Sequence, residues 1–228
     1  MVVSESKTTQ RRRLVPALVL LLLGLAGCAA KIPPTSGTRL AWDAPVDSLF
    51  LSPLDPGPGG NADMPRPLAK SRGQLDGYLR VWQEFLAEEC AHRGLVLLTA
   101  RRADSLALAA FRSGLAPADW QRQFGAVPGP RSQVVDVHAL RLLAVRRNGF
   151  QRFLEGLNLL DTSDREYGWV EVDYTVRGLS GSAGAGRRTL VSREPDTPWV
   201  SGMVDRAGRL MTKAARDLAR DLEARRQP

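Results

Sequence analysis

The chain has 228 residues, 43% of them hydrophobic and 25% charged, which supports one modest domain with a real core and excludes both a fully disordered chain and a multidomain machine. Its formal charge is +8 at pH 7, but Met1–Gly27 holds Lys7, Arg11, Arg12 and Arg13 against Glu5 alone, so the remainder carries only +5. Basic residues are spread thinly beyond that point, and nucleic acid is not an expected partner.

Arg11-Arg12-Arg13 precede a 13-residue apolar run, Leu14–Ala26. Clustered positive charge stays on the cytoplasmic side while an apolar helix enters the bilayer, and this run is shorter than the ~20 residues a permanent span requires. The segment therefore reads as an export signal. It ends in Leu25-Ala26-Gly27-Cys28, which is similar to the lipobox of bacterial lipoproteins, where the cysteine thiol receives a diacylglyceryl group and cleavage falls just before it. An ordinary signal peptide cut elsewhere and an uncleaved anchor are the competing readings. Residues 1–27 are thus expected to be the signal peptide, and a covalent lipid on Cys28 is the one attached group expected, with no other cofactor. Two or three acyl chains hold a protein at a bilayer far more firmly than one. In lipoproteins that this start resembles, Asp after the cysteine retains the protein in the inner membrane; Ala29 stands there instead. That implies an outer-membrane lipoprotein facing the periplasm, in a cell that has an outer membrane.

Residues 28–40 include Pro33-Pro34 and Gly37 and read as the lipidated start and a short tether, ahead of a domain over 41–228. A first strand is expected over Val46–Leu51. Residues 52–73 hold five prolines and four glycines and read as an exposed loop, since little there buries area against the cost of ordering. Over Gln74–Arg93 the apolar residues Leu75, Leu79, Trp82 and Leu86 recur at helical spacing. Gly94 is placed to end that helix before a short strand, Leu95–Thr99. Ala103–Phe111 is open between helix, by propensity, and continued sheet. Pro117 suits a helix start.

Val134–Val145 reads as a strand, with Asp136, His138 and, after a bulge, Arg141 on its polar side. Phe150–Leu154 is open between strand and short helix. Tyr167–Arg177 alternates cleanly: Val170, Val172, Tyr174 and Val176 point one way, while Trp169, Glu171, Asp173, Thr175 and Arg177 point the other. A Gly-rich hairpin loop over 178–186 leads to a return strand, Thr189–Arg193. A closing helix is capped by Thr197, begins at Pro198, and carries a stripe of Val200, Val204, Ala207, Met211, Ala214, Leu218 and Leu222. Its C-terminal arginines suit the helix dipole. The economical arrangement is one α+β domain, a mostly antiparallel sheet with its helices packed on one face.

The sequence offers no recognisable catalytic residue and no metal ligand set. His92 and His138 are the only histidines; His92 reads as solvated at a helix end, and His138 with Asp136 as a structural pair on a strand face, because no further Cys or His completes a site. Ser182 lacks the Gly-x-Ser-x-Gly setting of a hydrolase nucleophile. Glu171 and Asp173 share a strand side and match the pairing of glycosidase carboxylates, yet simple alternation produces the same pattern. Cys90, with Cys28 acylated, has no intramolecular partner and reads as a buried structural thiol. Trp42, Trp120, Trp169 and Trp199 offer large binding surfaces or core packing. Trp169 is the best candidate for binding because alternation sets it opposite the valines, so Trp169, Glu171 and Asp173 form the expected partner-binding site.

The lipobox, the first extended segment, the helix Gln74–Arg93, the late strand pair and the closing helix together resemble the auxiliary lipoproteins of ABC-type transport systems, including those paired with MCE-domain lipid transporters. Lys31–Thr38 departs from many of these in having no aromatic residue. The resemblance implies a small periplasmic α+β body that is not an enzyme, tied to the membrane by its N-terminal lipid, which assists envelope transport or assembly through contacts with an ABC transporter or MCE-domain protein. A lipid-binding periplasmic module is the alternative, and a periplasmic hydrolase is a third.

Overall fold

A computed structural model of the chain describes residues 33–39, 41–42, 45–63, 72–102, 104–144, 167–179, 186–193 and 203–226. In chain order its elements are β1 (Ser36–Gly37), β2 (Ser48–Leu51), β3 (Ala62–Asp63), α1 (Arg72–His92), β4 (Leu97–Leu98), α2 (Ser105–Ser113), α3 (Pro117–Phe124), β5 (Ser132–Ala144), β6 (Tyr167–Gly178), β7 (Gly186–Arg193) and α4 (Met203–Glu223). The strands form one mixed sheet in the order β1-β7-β6-β5-β2-β4, with β3 also pairing β5. The long strands β5, β6 and β7 and the edge strand β1 pair antiparallel, while the short strands β2, β3 and β4 pair parallel. With the helices packed against this sheet, the described residues are an α+β domain.

Each long element forms where local periodicity meets a suitable terminus. In α1 the residues Leu75, Leu79, Trp82, Leu86 and Cys90 are buried at steps of three and four, and Gly94, at φ +66°, lets the chain turn out of the helix. In α4, Ala207, Ala214, Ala215 and Ala219 are buried beside Leu210, Leu218 and Leu222, small residues that bring this helix close to α1 and the sheet. On β6, Val170, Val172 and Tyr174 are fully buried against the same layer. Burial of each valine stabilises the fold by about 2 kcal/mol.

The bulge in β5 falls at His138: Val137 pairs Tyr174 and Ala139 pairs Asp173, leaving His138 as the extra residue. This resets the alternation, so that Val135 and Val137 before it and Leu140 and Leu142 after it all enter the main core.

The segment 103–111, ambiguous by sequence, resolves as α2. Asp104 caps it by accepting a hydrogen bond from the Ala107 amide at 2.8 Å, and Leu108 and Phe111 are buried three residues apart. Pro117 opens α3, which Gly125 closes in the left-handed region. These two short helices do not share the face of α1 and α4. Phe50 alternates with Leu49 and Leu51, and joins Phe111, Trp120, Phe124 and Val134 in a second cluster on the opposite side of the sheet. There Phe50 meets Trp120 edge-on, with ring centroids 4.9 Å apart.

Two expected loose segments are ordered parts of the domain. The described stretch of the Pro/Gly-rich loop is not exposed throughout: Ser52, Leu54, Asp55 and Asn61 are buried. The Asn61 amide donates to Pro53 O at 3.0 Å and Val137 O at 2.7 Å and accepts from the Asp55 amide at 2.7 Å, and the Ser52 hydroxyl accepts from the Val137 amide at 2.8 Å. Polar side chains thus satisfy the loop backbone and dock it on β5. Within the expected tether, Ser36 and Gly37 pair Thr189 and Arg188 as β1, the edge strand. The expected signal segment, Cys28, 145–166 and 194–202, with Trp199 and the expected Thr197 cap, lie outside the described residues, as do 180–185 with Ser182. No described helix is long and apolar enough to cross a membrane.

Candidate functional site

Trp169, Glu171 and Asp173 lie on one side of β6, opposite Val170, Val172 and Tyr174, and are half-buried. Among the described residues, α2 and α3 cover the part of this side near Phe50 and Val134; Trp169 belongs to neither buried cluster. Strand register sets the neighbours. Trp169 pairs Leu143 and Arg193, Glu171 pairs Arg141 and Val191, and Asp173 pairs Ala139 and Thr189, and directly paired residues share a face. The result is a half-buried indole set among alternating charges.

Those charges are engaged. The Trp169 indole N–H donates to Glu171 Oε1 at 2.9 Å. The Arg187 guanidinium grips Asp173, its Nε 3.0 Å from Oδ1 and its Nη2 2.5 Å from Oδ2, and those bonds raise the arginine pKa further above its ordinary value. Arg187 reaches Asp173 from the neighbouring strand, β7.

The remaining candidates separate. His138 Nε2 is 3.1 Å from the Thr175 hydroxyl, whereas buried Asp136 faces Arg112 Nε at 3.5 Å, so the expected His138–Asp136 pair is divided between two partners. His92 is exposed at the end of α1. Among the described residues no three His, Cys, Asp or Glu are grouped to hold a metal ion. Cys90 is fully buried and burial pushes its thiol up to about 12, so it is not a nucleophile at neutral pH. Trp120 packs in the second cluster and Trp42 against the main core.

A polar cluster that the sequence reading missed sits under the other face. Asp221, on α4, is 3% exposed. Its Oδ1 accepts from Arg39 Nε at 2.9 Å and Nη2 at 2.6 Å and lies 2.9 Å from Arg188 Nε. Its Oδ2 accepts from the Tyr174 hydroxyl, and Arg225 Nη2 reaches that hydroxyl at 3.4 Å. Burial first, then the hydrogen bond to Asp221, lifts the Tyr174 phenol well above its usual range against the opposing charge of Arg225. The one available signal was a lone acid at position 221 beside Leu218 and Leu222, on a stripe that is otherwise apolar. The basic end of α4 likewise has specific partners beyond the helix dipole: Arg216 bonds Glu89 at 3.0 Å, and Arg226 bonds the Arg93 and Gly94 carbonyls at 3.1 and 2.6 Å.

Between α1 and α4 lies an open, mainly apolar groove of about 500 Å³, lined by Tyr78, Val81, Trp82, Phe85, Met211 and Thr212 among others. Val81 is 61% exposed.

No protein-family model matches the chain. No curated protein matches it either. Among solved structures, the PelC dodecamer from Paraburkholderia phytofirmans is similar at 14% identity and a TM-score of 0.37, over 81% of this chain and 97% of that one. A leucine-to-methionine variant of that dodecamer is similar at 15% identity and a TM-score of 0.38, over 82% and 98%. Similarity at this level bears on neither the fold nor the function of this chain.

Proposed function

We propose that this chain is a membrane-anchored, noncatalytic lipoprotein of the bacterial envelope, held by a covalent lipid on Cys28, that assists transport or assembly by binding an ABC transporter or MCE-domain protein. The observation that carries the reading is the half-buried Trp169, its indole bonded to Glu171 and set beside Leu143 and Arg193 in register, outside both buried clusters. A fixed aromatic with a charged rim is the composition of a binding hot spot, because the ring buries a large apolar area with little ordering left to lose. The leader supports the anchoring half: Arg11–Arg13, the apolar run and Leu25-Ala26-Gly27-Cys28 follow in the order that lipoprotein export requires.

Mild-detergent isolation of the lipidated protein tests this reading. The native protein is expected to bring down a permease, ATPase or MCE-domain protein, and Trp169→Ala to weaken that capture while leaving acyl labelling and the thermal transition in place. Capture at undiminished strength by the variant would rule the site out, and Cys28→Ser that still takes up acyl label would rule out the anchor.

The groove between α1 and α4 favours a second reading, an apolar-ligand module. Tyr78, Val81, Phe85 and Met211 offer aliphatic and aromatic contact along an open channel. Saturable binding of a fluorescent fatty acid, lost in Val81→Glu, would favour it; the same uptake in both proteins would dismiss it.

A further inference from the structure

The short stretch Thr35–Trp42 is fastened to the domain at several points. Gly37 pairs Arg188 with φ +91°, and a Cβ on it would lie 2.3 Å from Arg187 O, so only glycine lets β1 approach β7 this closely. The Thr35 hydroxyl accepts from the Val191 amide at 3.1 Å, and Arg188 Nη1 donates to Gly37 O at 3.1 Å. Arg39 forks onto buried Asp221, and the Trp42 amide donates to Arg225 O at 2.8 Å. A free tether would show none of these bonds.

We propose that Thr35–Trp42 is a clasp that holds the β1–β7 edge of the domain against an anionic lipid bilayer. The inference rests on the anchoring reading for Cys28. From Cys28 to Thr35, the first fastened residue, the chain advances seven residues, a reach of at most about 25 Å. With the clasp shut, this edge stays within that reach of the acyl chains, whereas a segment unfastened through Trp42 would double it. Charge sets which surface the edge fits. Along β7, Arg39, Arg187, Arg188, Arg193 and Lys213 stand with four carboxylates, Glu171, Asp173, Asp217 and Asp221, and in the pairs Arg187–Asp173 and Arg39–Asp221 the arginine is the outer member, 68% and 42% exposed against 15% and 3%. Anionic headgroups attract such an edge over a Debye length.

The test uses the full chain, lipidated in the cell and reconstituted in phosphatidylglycerol-containing vesicles that carry a headgroup quencher. Fluorophores are placed on Arg193→Cys, at the clasped edge, or on Leu106→Cys, on α2 towards the other end of the sheet; Cys90 is buried and stays unlabelled. Quenching is expected to be about threefold stronger at 193 than at 106, because the leash of at most about 25 Å ends at Thr35, bonded to Val191 of β7, and not at α2. Gly37→Val should bring the two together, and Arg39→Ala does the same by a gentler route if the valine variant does not fold. Exchange of the Val191 amide, read in detergent, should become about tenfold faster in either variant. Equal quenching at the two positions in the acylated, unaltered chain would overturn the proposal, as would a Val191 amide no slower to exchange than in the variants. Absence of acyl label on Cys28 would overturn the anchoring reading and the bilayer contact with it, while Val191 exchange would still report whether the clasp exists.

Discussion

The two sides of β6 make opposite use of one alternating sequence. Val170, Val172 and Tyr174 are 0% exposed beneath α4, and the polar groups admitted there, Asp221 and Arg225, are themselves 3% and 1% exposed. Trp169, Glu171, Asp173 and Thr175 on the other side stay half-buried, held by bonds to one another and to β5 and β7. Burial on the first side makes every polar contact costly to lose, because a stranded charge has no water to turn to. On the second side water remains available, and lost contacts are cheap. Stability therefore belongs to the helix-covered side, and freedom to bind belongs to the other.

That contrast breaks most sharply at Val172. A Val172→Asp substitution places a carboxylate at a fully buried position and should abolish the cooperative unfolding transition altogether; a normal transition would mean that this side is not closed. Phe50→Ala probes the second cluster, where Phe50 touches the rings of Trp120 and Phe124. A loss of about 3–4 kcal/mol in chemical denaturation is expected, and a loss below about 1 kcal/mol would show that α2 and α3 hold the sheet by other contacts. Asp221→Asn removes the carboxylate charge that faces Arg39, Arg188 and, at 3.9 Å, Arg225, and should cost about 3 kcal/mol in the same measurement, because Arg188 and Arg225 are buried or nearly so and lose a counter-charge there.

A smaller effect sharpens the comparison by its pH dependence. The Ala107 amide bond first, and the charge of Arg102, hold the Asp104 carboxyl below its ordinary 3.8 against a modest opposing effect of burial. A carboxylate with a depressed folded pKa contributes stability that is full above its unfolded value and fades as pH falls through the folded one. Asp104→Ala should therefore cost about 1 kcal/mol at neutral pH. The gap between the two proteins should narrow in urea titrations as pH drops below 3.8. Trp169→Ala is expected to have the least effect on stability and the greatest on partner capture.

Much of this division is legible in the chain. The β6 alternation, the α1 stripe and the glycine that ends α1 depend on residues a few positions apart, and the two sides of β6 follow from them. The bulge in β5 is visible as a slip in hydrophobic phase. Trp169, Glu171 and Asp173 are placed together by alternation, although alternation does not choose Arg187 as the partner of Asp173. The α2 segment is opaque because Ala and Leu fit two structures there, and the capping bond from Ala107 to Asp104 exists only once the turn has formed. The buried half of the Pro/Gly-rich loop is opaque for a different reason: Asn61 docks on Val137, 76 residues away.

By itself the sequence determined the kinds of the long elements and which side of each turns inward, since these are short-range patterns imposed by chain geometry and the removal of apolar surface from water. Tertiary structure alone decided which charges meet. Arg39 finds Asp221 across 182 residues, and that contact, with the glycine-dependent approach of β1 to β7, turns an expected tether into part of the domain. Nothing within a local window encodes such a pairing, because its favourable energy arises only after the sheet and α4 have enclosed the carboxylate away from solvent.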